Sequence, residues 1–254
     1  MTQNLIVSPT ALTFAVVLVV IALLINWHDK IGLEKDMIVG VIRAVIQLTV
    51  VGYVLTYIIK VNHIWLTLLM VAIIIFNAAW NAKKRANGIT NAFWISLLAI
   101  TTSTGVTLIL LVVAGAIKFT PAQVVPVTGM IASNAMVAIG LCYRSMNTSF
   151  HDLREPLMER LALGATLKQT TQDLVRTAIK TGMSPTIDSA KTVGLVSLPG
   201  MMSGLIFAGV DPTKAIMYQI MVTFMLMAAT SIGSVIACYL AYPMYFNKDL
   251  QLKN

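Results

Sequence analysis

FWISLLAITTSTGVTLILLVVAGAI, Phe93 to Ile117, runs for 25 residues without an Asp, Glu, Lys or Arg. Coiled into a helix at about 1.5 Å per residue it exceeds the roughly 30 Å hydrocarbon core of a bilayer, whereas a strand of that length has no place in a soluble domain. Six other apolar runs flank it: Ala11 to Trp27, Met37 to Ile59, Ile64 to Ala82, Ala122 to Tyr143, Val193 to Val210 and Ala215 to Phe246. The composition agrees. Of 254 residues 57% are hydrophobic and 11% charged, and the mean hydropathy is +0.83, which excludes a soluble enzyme, a disordered chain and a secreted disulfide scaffold. No alternating pattern supports a porin. The reading is an all-α polytopic membrane protein with seven transmembrane helices, forming one domain over residues 1–254. Met1 to Thr10 carries no Lys or Arg, so the first run lacks the basic flank of a cleaved signal and is expected to stay as a span.

Charge orients the bundle. With the N-terminus outside, Lys30, Lys35, Lys83, Lys84, Arg85, Arg144, Arg154, Arg160, Lys168, Arg176, Lys180, Lys191, Lys248 and Lys253 fall inside, which is 14 of 18 basic residues. Only Lys60, Lys118 and Lys214 fall outside, so the C-terminus is expected in the cytoplasm of a multi-pass protein of the cell membrane, the inner membrane of a bacterium. The net charge of +8 therefore belongs to loops and not to a nucleic-acid surface. Cys142 and Cys238, far apart and in no Cys/His array, read as free thiols.

The ten acids all fall in expected loops or the tail, and His28, His63 and His151 at span ends or in a loop. A proton relay, a hard-metal site and an intramembrane hydrolase thus lack obvious groups. Arg43 is the one charge inside an expected span, with Gln47 a turn further on the same face; it either lines a substrate path or snorkels to the nearby interface. Asn77 and Asn81, the hydroxyl run Thr101 to Thr104, and Asn134 form a polar seam suited to interhelical hydrogen bonds. Met217, Met221 and Met225 stack at four-residue spacing, a pattern that fits soft Cu(I) or plain flexible packing. GMMSG, Gly200 to Gly204, is a GxxxG expected to bring helices close, and Pro199 interrupts the sixth run, as at a substrate pocket or a packing kink.

Between the fifth and sixth runs lies a long polar stretch, Arg144 to Lys191, with apolar residues at helical spacing: Leu153, Leu157 and Leu161, then Leu167, Leu174 and Ala178. Two amphipathic cytoplasmic helices are expected there, with a break near Gly182 and a new start at Ser184 and Pro185. Such helices lie on the membrane surface or dock a partner.

ERLALGATLKQ, Glu159 to Gln169, resembles the EAA loop of ABC importer permeases through Ala162, Leu163, Gly164 and Ala165, although Glu159 stands five residues before the glycine instead of six. NAMVAIGLCYRSM (Asn134 to Met146), LREPLMERLALGAT (Leu153 to Thr166) and VGLVSLPGMMSGLIFAGVDP (Val193 to Pro212) resemble, over essentially the whole chain, the Fet-type permeases of iron-export ABC transporters, a family that includes plant aluminium-tolerance permeases. The resemblance implies a permease without enzymatic activity, paired with a separate soluble ATP-binding subunit that binds the ATP. This chain has no GxxxxGK[ST] phosphate loop, and no cofactor of its own is implied. Leu153, Arg154, Leu157, Glu159, Leu161, Ala162, Leu163, Gly164 and Ala165 would form the coupling surface. Without internal duplication, a permease homodimer with two ATPase subunits follows. Iron is the cargo the resemblance implies; an organic or anionic cargo suits Arg43 better, and a stand-alone seven-helix channel or sensor is the competing class.

Overall fold

The computed structural model describes residues 9–247 and 249–253, so Thr2, Lys248 and the remainder of the expected 1–254 domain lie outside the described residues. Among the described residues nine α-helices follow in order: α1 (Pro9–His28), α2 (Glu34–Val61), α3 (Ile64–Lys83), α4 (Ala92–Val113), α5 (Pro121–Asp152), α6 (Arg154–Ala162), α7 (Leu167–Thr192), α8 (Gly200–Phe207) and α9 (Pro212–Ala241), the last continued by a 3₁₀ turn at Tyr242–Tyr245. Among the described residues there is no named strand, and six helices are long and apolar enough to cross a membrane. They are α1 to α5 and α9.

Local chemistry sets the boundaries. Pro121 and Pro212 open α5 and α9 in the first turn, where a missing N–H costs nothing. Asp211 caps α9 by accepting from the Thr213 N–H at 2.9 Å and from its hydroxyl. These donors hold the Asp211 carboxyl below its ordinary pKa. Thr166 and Gln169 form a reciprocal capping box at the start of α7. Asn62 ends α2 in the left-handed region.

Helix packing inside a bilayer gains little from hydrophobicity and depends on close fit, which small residues permit. On α9, Ala229, Gly233, Ala237 and Ala241 repeat every four residues and are buried. A Cβ on Gly233 would meet Ala135 of α5 at 3.5 Å and Ser103 of α4 at 3.7 Å. Further along the same pair of helices, Phe150 stacks on Tyr245 at 4.3 Å, while at the other end Val127 and Ile131 share a core with Val222 and Met225. Residue numbers rise together, so α5 and α9 run parallel. The chain therefore returns along the bundle between Asp152 and Pro212.

That return differs from the expected one. The run Val193 to Val210 is not a spanning helix: α8 has 8 residues, about 12 Å against the roughly 30 Å needed. Gly194 at φ +84° and Gly209 at φ +86° turn the backbone on either side, and Pro199 caps the helix. Instead α7 does most of the travelling. Its 26 residues continue through Gly182 and Pro185, so the expected break at Gly182 and restart at Ser184 are absent. Gly182 is buried because a Cβ there would fall 2.7 Å from the Ala138 carbonyl and onto the Cys142 thiol. One face of α7 thus packs against α5 and α9 while the other stays exposed.

In contrast, α1 and α2 form a hairpin whose apolar side chains are largely exposed. The two cysteines, Cys142 and Cys238, are free and buried.

Candidate functional site

Where the returning segment breaks, α5, α7, α8 and α9 enclose a cavity of 310 Å³. Asn134 faces it from α5, Thr186 and Ser189 from α7, Gln219 and Thr223 from α9, and Pro199, Gly200 and Met201 from the start of α8. No charged side chain lines it. Asn134 donates to the Met130 carbonyl at 2.9 Å, and Thr223 donates to the Gln219 carbonyl at 2.9 Å. The Gln219 side-chain oxygen is buried without a hydrogen-bond partner, a costly state unless a donor from a bound molecule or water completes it. The first turn of α8 has no side-chain cap, so its N–H groups and partial positive charge remain free at the cavity wall. The end of α7 and the start of α8 thus meet at one chamber whose mostly apolar wall carries a few polar groups.

Depth follows from the contacts. Gly182 is level with Ala138 and Cys142, about 26 to 32 Å from the start of α5. Asp188 lies six residues further along the returning helix, about 9 Å deeper, at the level of the cavity. Its carboxylate accepts from the Ser184 hydroxyl at 3.1 Å and from the Lys191 ammonium at 3.4 Å. Asp188 stands in α7, which is not among the helices long and apolar enough to cross a membrane. Hydropathy averaged over a polar stretch conceals that the stretch packs between apolar helices.

Of the substrate-path candidates singled out from sequence, only Asn134 lines the cavity, together with Gly182 and Pro185 of α7 and Pro199 and Gly200 of the interrupted sixth run. Arg43 and Gln47 sit with Val39, Ile42 and Ile46 on the exposed surface of α2. Asn81 donates to the Asn77 carbonyl at 2.9 Å within α3 and is not brought to the chamber. The methionines do not share one surface: Met217 is 71% exposed, Met225 is buried against Val127 and Ile131, and Met221 lies between the two states. Gly200 and Gly204 meet nothing within 4 Å, so the expected close helix approach at GMMSG is absent. Among the described residues no cluster of three or more His, Cys, Asp or Glu is placed to hold a metal ion. Gln219, Thr223, Thr186 and Ser189 were missed; the Pro199 interruption was the sequence signal for the chamber.

At the far end of the bundle α6 packs through Leu157, 3% exposed, into a core with Phe150 and Val175. Leu161 is half-buried, and Leu153, Arg154, Glu159 and Ala162 are exposed. Arg154 donates to the Leu252 carbonyl at 3.1 Å, tying down the chain's tail. Leu163 is 89% exposed. Gly164 follows at φ +90° with nothing near its Cβ position, and Ala165 leads to the capping box of α7. Arg85, Arg144, Arg154, His151 and Lys253 surround a second cavity of 490 Å³ here, whose lining has no acid. Arg85 reaches it across Gly140, where a Cβ would meet its side chain at 2.5 Å.

The family model described as Uncharacterised protein family (UPF0014) matches residues 9–246. The "Probable iron export permease protein FetB" of Escherichia coli (strain K12) is 54% identical over 246 residues, covering 97% of this chain and 95% of that protein. The "UPF0014 membrane protein YjkA" of Bacillus subtilis (strain 168) is 38% identical over 243 residues, covering 96% and 97%. The "Protein ALUMINUM SENSITIVE 3" of Arabidopsis thaliana is 34% identical over 247 residues, covering 97% and 89%. No solved structure matches. With its apolar helices and these membrane relatives, the chain is a multi-pass membrane protein that belongs to the UPF0014 family.

Proposed function

We propose that the chain is the membrane-spanning permease of an ATP-driven exporter, a homodimer served by separate ATP-binding subunits, with iron as first-choice cargo. The observation that carries this reading is the 310 Å³ cavity at a helix break, with Asn134, Thr186, Ser189, Gln219 and Thr223 in an otherwise apolar wall, reached by the same 26-residue helix that begins after the Gly164 turn. A relative named as a probable iron export permease supports the cargo. In this reading the membrane is crossed seven times, the sixth passage being made in two pieces by the end of α7 and by α8. The parallel course of α5 and α9 supports it. The cation split supports an external N-terminus and a cytoplasmic C-terminus, and the acid-free basic cavity at the Arg144 end fits the cytoplasmic face of a bacterial inner membrane.

The mechanism follows from stiffness. The exposed Leu163, with Ala162 and Gly164, is an apolar knob for a groove on the ATP-binding subunit. Closure of that partner displaces the α6 to α7 turn, and α7, a rod of about 39 Å, carries the displacement to Thr186 and Ser189 on the cavity wall. Asn134, Gln219 and Thr223 supply neutral oxygen and nitrogen groups to an incoming polar or chelated cargo. In the test, α7 is cross-linked to α5 across the cavity with a bifunctional thiol reagent through Val137→Cys and Thr186→Cys, both on the cavity wall, in a background where Cys142 and Cys238 are serine. ATP hydrolysis by the assembled complex should persist while transport falls at least tenfold, and unchanged transport would overturn the lever.

A further inference from the structure

Cations converge on the 490 Å³ cavity at the end of the bundle where α3 turns into α4. The turn supplies Arg85, α5 supplies Arg144 and His151, and Arg154 of α6 and Lys253 of the tail close the far side, with no Asp or Glu in the lining. Some of these groups are engaged. Lys253 donates to the Met244 carbonyl at 2.9 Å and to the Thr90 hydroxyl at 3.0 Å, Arg154 donates to the Leu252 carbonyl, and His151 has Asp152 beside it at 3.2 Å. Arg85 and Arg144 form no ion pair among the described residues. Arg85 is nevertheless held in place: it is half-buried, and its stem lies across Gly140, where a Cβ would come 2.5 Å from its Cδ and 3.1 Å from its Nη1. A guanidinium fixed among further cations suits an oxyanion, because its planar fork meets phosphate oxygens two at a time.

We propose that this cavity binds the phosphate of an anionic phospholipid headgroup. Depth and direction both favour lipid as the carrier of that phosphate. Trp80 and Trp94, 45% and 66% exposed, stand in the last turn of α3 and the first turn of α4. Phe93 joins them, with ring centroids 5.9 and 5.3 Å away, and the Lys83 ammonium lies 4.8 Å from the Trp80 ring centre. Exposed indoles at helix ends mark the boundary between hydrocarbon and headgroups. Arg85 follows Trp80 by five residues and stands in the turn, which puts the cavity in the headgroup layer. Direction comes from α5. Gly140, Arg144, Thr148 and His151 recur at three- and four-residue spacing on one face, and the last three are exposed, whereas Tyr143, Met146 and Phe150 on the other face are buried. The cavity therefore opens to the side of the bundle, where a headgroup can enter while its acyl chains stay in the bilayer. Basic pockets so placed between spanning helices take anionic headgroups. The inference needs only a chain that spans a membrane, and no part of the ATP-driven reading.

Its test uses neither ATP nor a partner subunit, so failure here is distinct from failure of ATP-driven transport. Phosphatidylglycerol, phosphatidylcholine of the same acyl chains and inorganic phosphate are titrated into the detergent-purified chain, and bound lipid is counted by native mass spectrometry. Phosphatidylglycerol should bind about tenfold tighter than phosphatidylcholine or better. Arg85→Gln with Arg144→Gln should cut that preference about tenfold or more, since each cation near a membrane surface contributes about fivefold. Thr148→Glu, at an exposed position of the lining, leaves both arginines in place and should abolish the preference by supplying a carboxylate. Lys168→Gln with Lys180→Gln, the same loss of charge at exposed positions of α7, should leave it within about twofold, as a site-specific effect requires. Equal binding of the two lipids, or a preference that survives both cavity variants, would overturn the site and leave its cations to an acidic surface of a protein partner. Displacement of the lipid by inorganic phosphate at equal concentration would overturn lipid as the source of the phosphate.

Discussion

Gly182 is the position at which one methyl group tests how α7 is placed. Its Cβ would strike the Ala138 carbonyl and the Cys142 thiol, and overpacking of that kind costs about 1 to 3 kcal/mol. Gly182→Ala should therefore lower the thermal midpoint of the detergent-purified protein; an unchanged midpoint would mean that α7 does not lie against α5. Arg43 carries the opposite expectation. It is exposed on α2 without a carboxylate partner among the described residues, so Arg43→Gln should leave both folding and transport within about twofold of the parent, as a snorkelling residue does. A tenfold loss of transport would return it to the route. Asp211 adds a pH dependence. Its carboxyl is held below the ordinary value by hydrogen bonds from Thr213, so its support of the α9 start is present above the unfolded carboxylate pKa of about 3.9 and fades as the pH falls through the lower folded value. Asp211→Asn should flatten that acid limb of the melting curve, and an unaltered limb would assign it to other carboxylates. At this scale Gly164 was singled out through the A-L-G-A core, and its φ of +90°, which only glycine accepts cheaply, explains the residue there. The continuity of α7 through Gly182 and Pro185 was not legible, because both residues favour a break in an isolated helix.

Six long helices were legible from run length alone, because an apolar stretch of about 20 residues has few other uses. The segment after Lys191 was not, for a physical reason: hydropathy sums composition and is blind to backbone direction. Val193 to Val210 is apolar enough for a span, yet Gly194, Pro199 and Gly209 bend it into a turn and an 8-residue helix. The amphipathic pattern of Leu153, Leu157 and Leu161 did foretell α6, and the structure shows why it is short, with Leu157 buried and Leu163 left bare. Gly164→Asp puts a strained left-handed side chain and a negative charge beside that apolar knob. It should weaken binding of the ATP-binding subunit at least tenfold in a pull-down titration, while the permease keeps its thermal midpoint within a few degrees. Full binding by the variant would show that the loop is not the docking surface.

For the whole molecule the decisive relation is the parallel course of α5 and α9, established by Val127 with Val222 at one end and Phe150 with Tyr245 at the other. No periodicity in the sequence reports it, since interhelical direction depends on which small residues meet. It forces the chain back along the bundle and so creates both the chamber and the polar face of α7. Single cysteines at Lys118 and Thr166 should label from opposite sides of the membrane in a background lacking Cys142 and Cys238; labelling from one side would overturn the arrangement of α5 to α7. The central claim is that the chain moves cargo only when driven by a separate ATP-binding subunit. Its most direct test is iron flux in proteoliposomes containing the purified chain with and without that subunit and ATP. The account predicts ATP-dependent export that requires both proteins and is abolished when the subunit cannot hydrolyse ATP, whereas equal flux through the chain alone would contradict it.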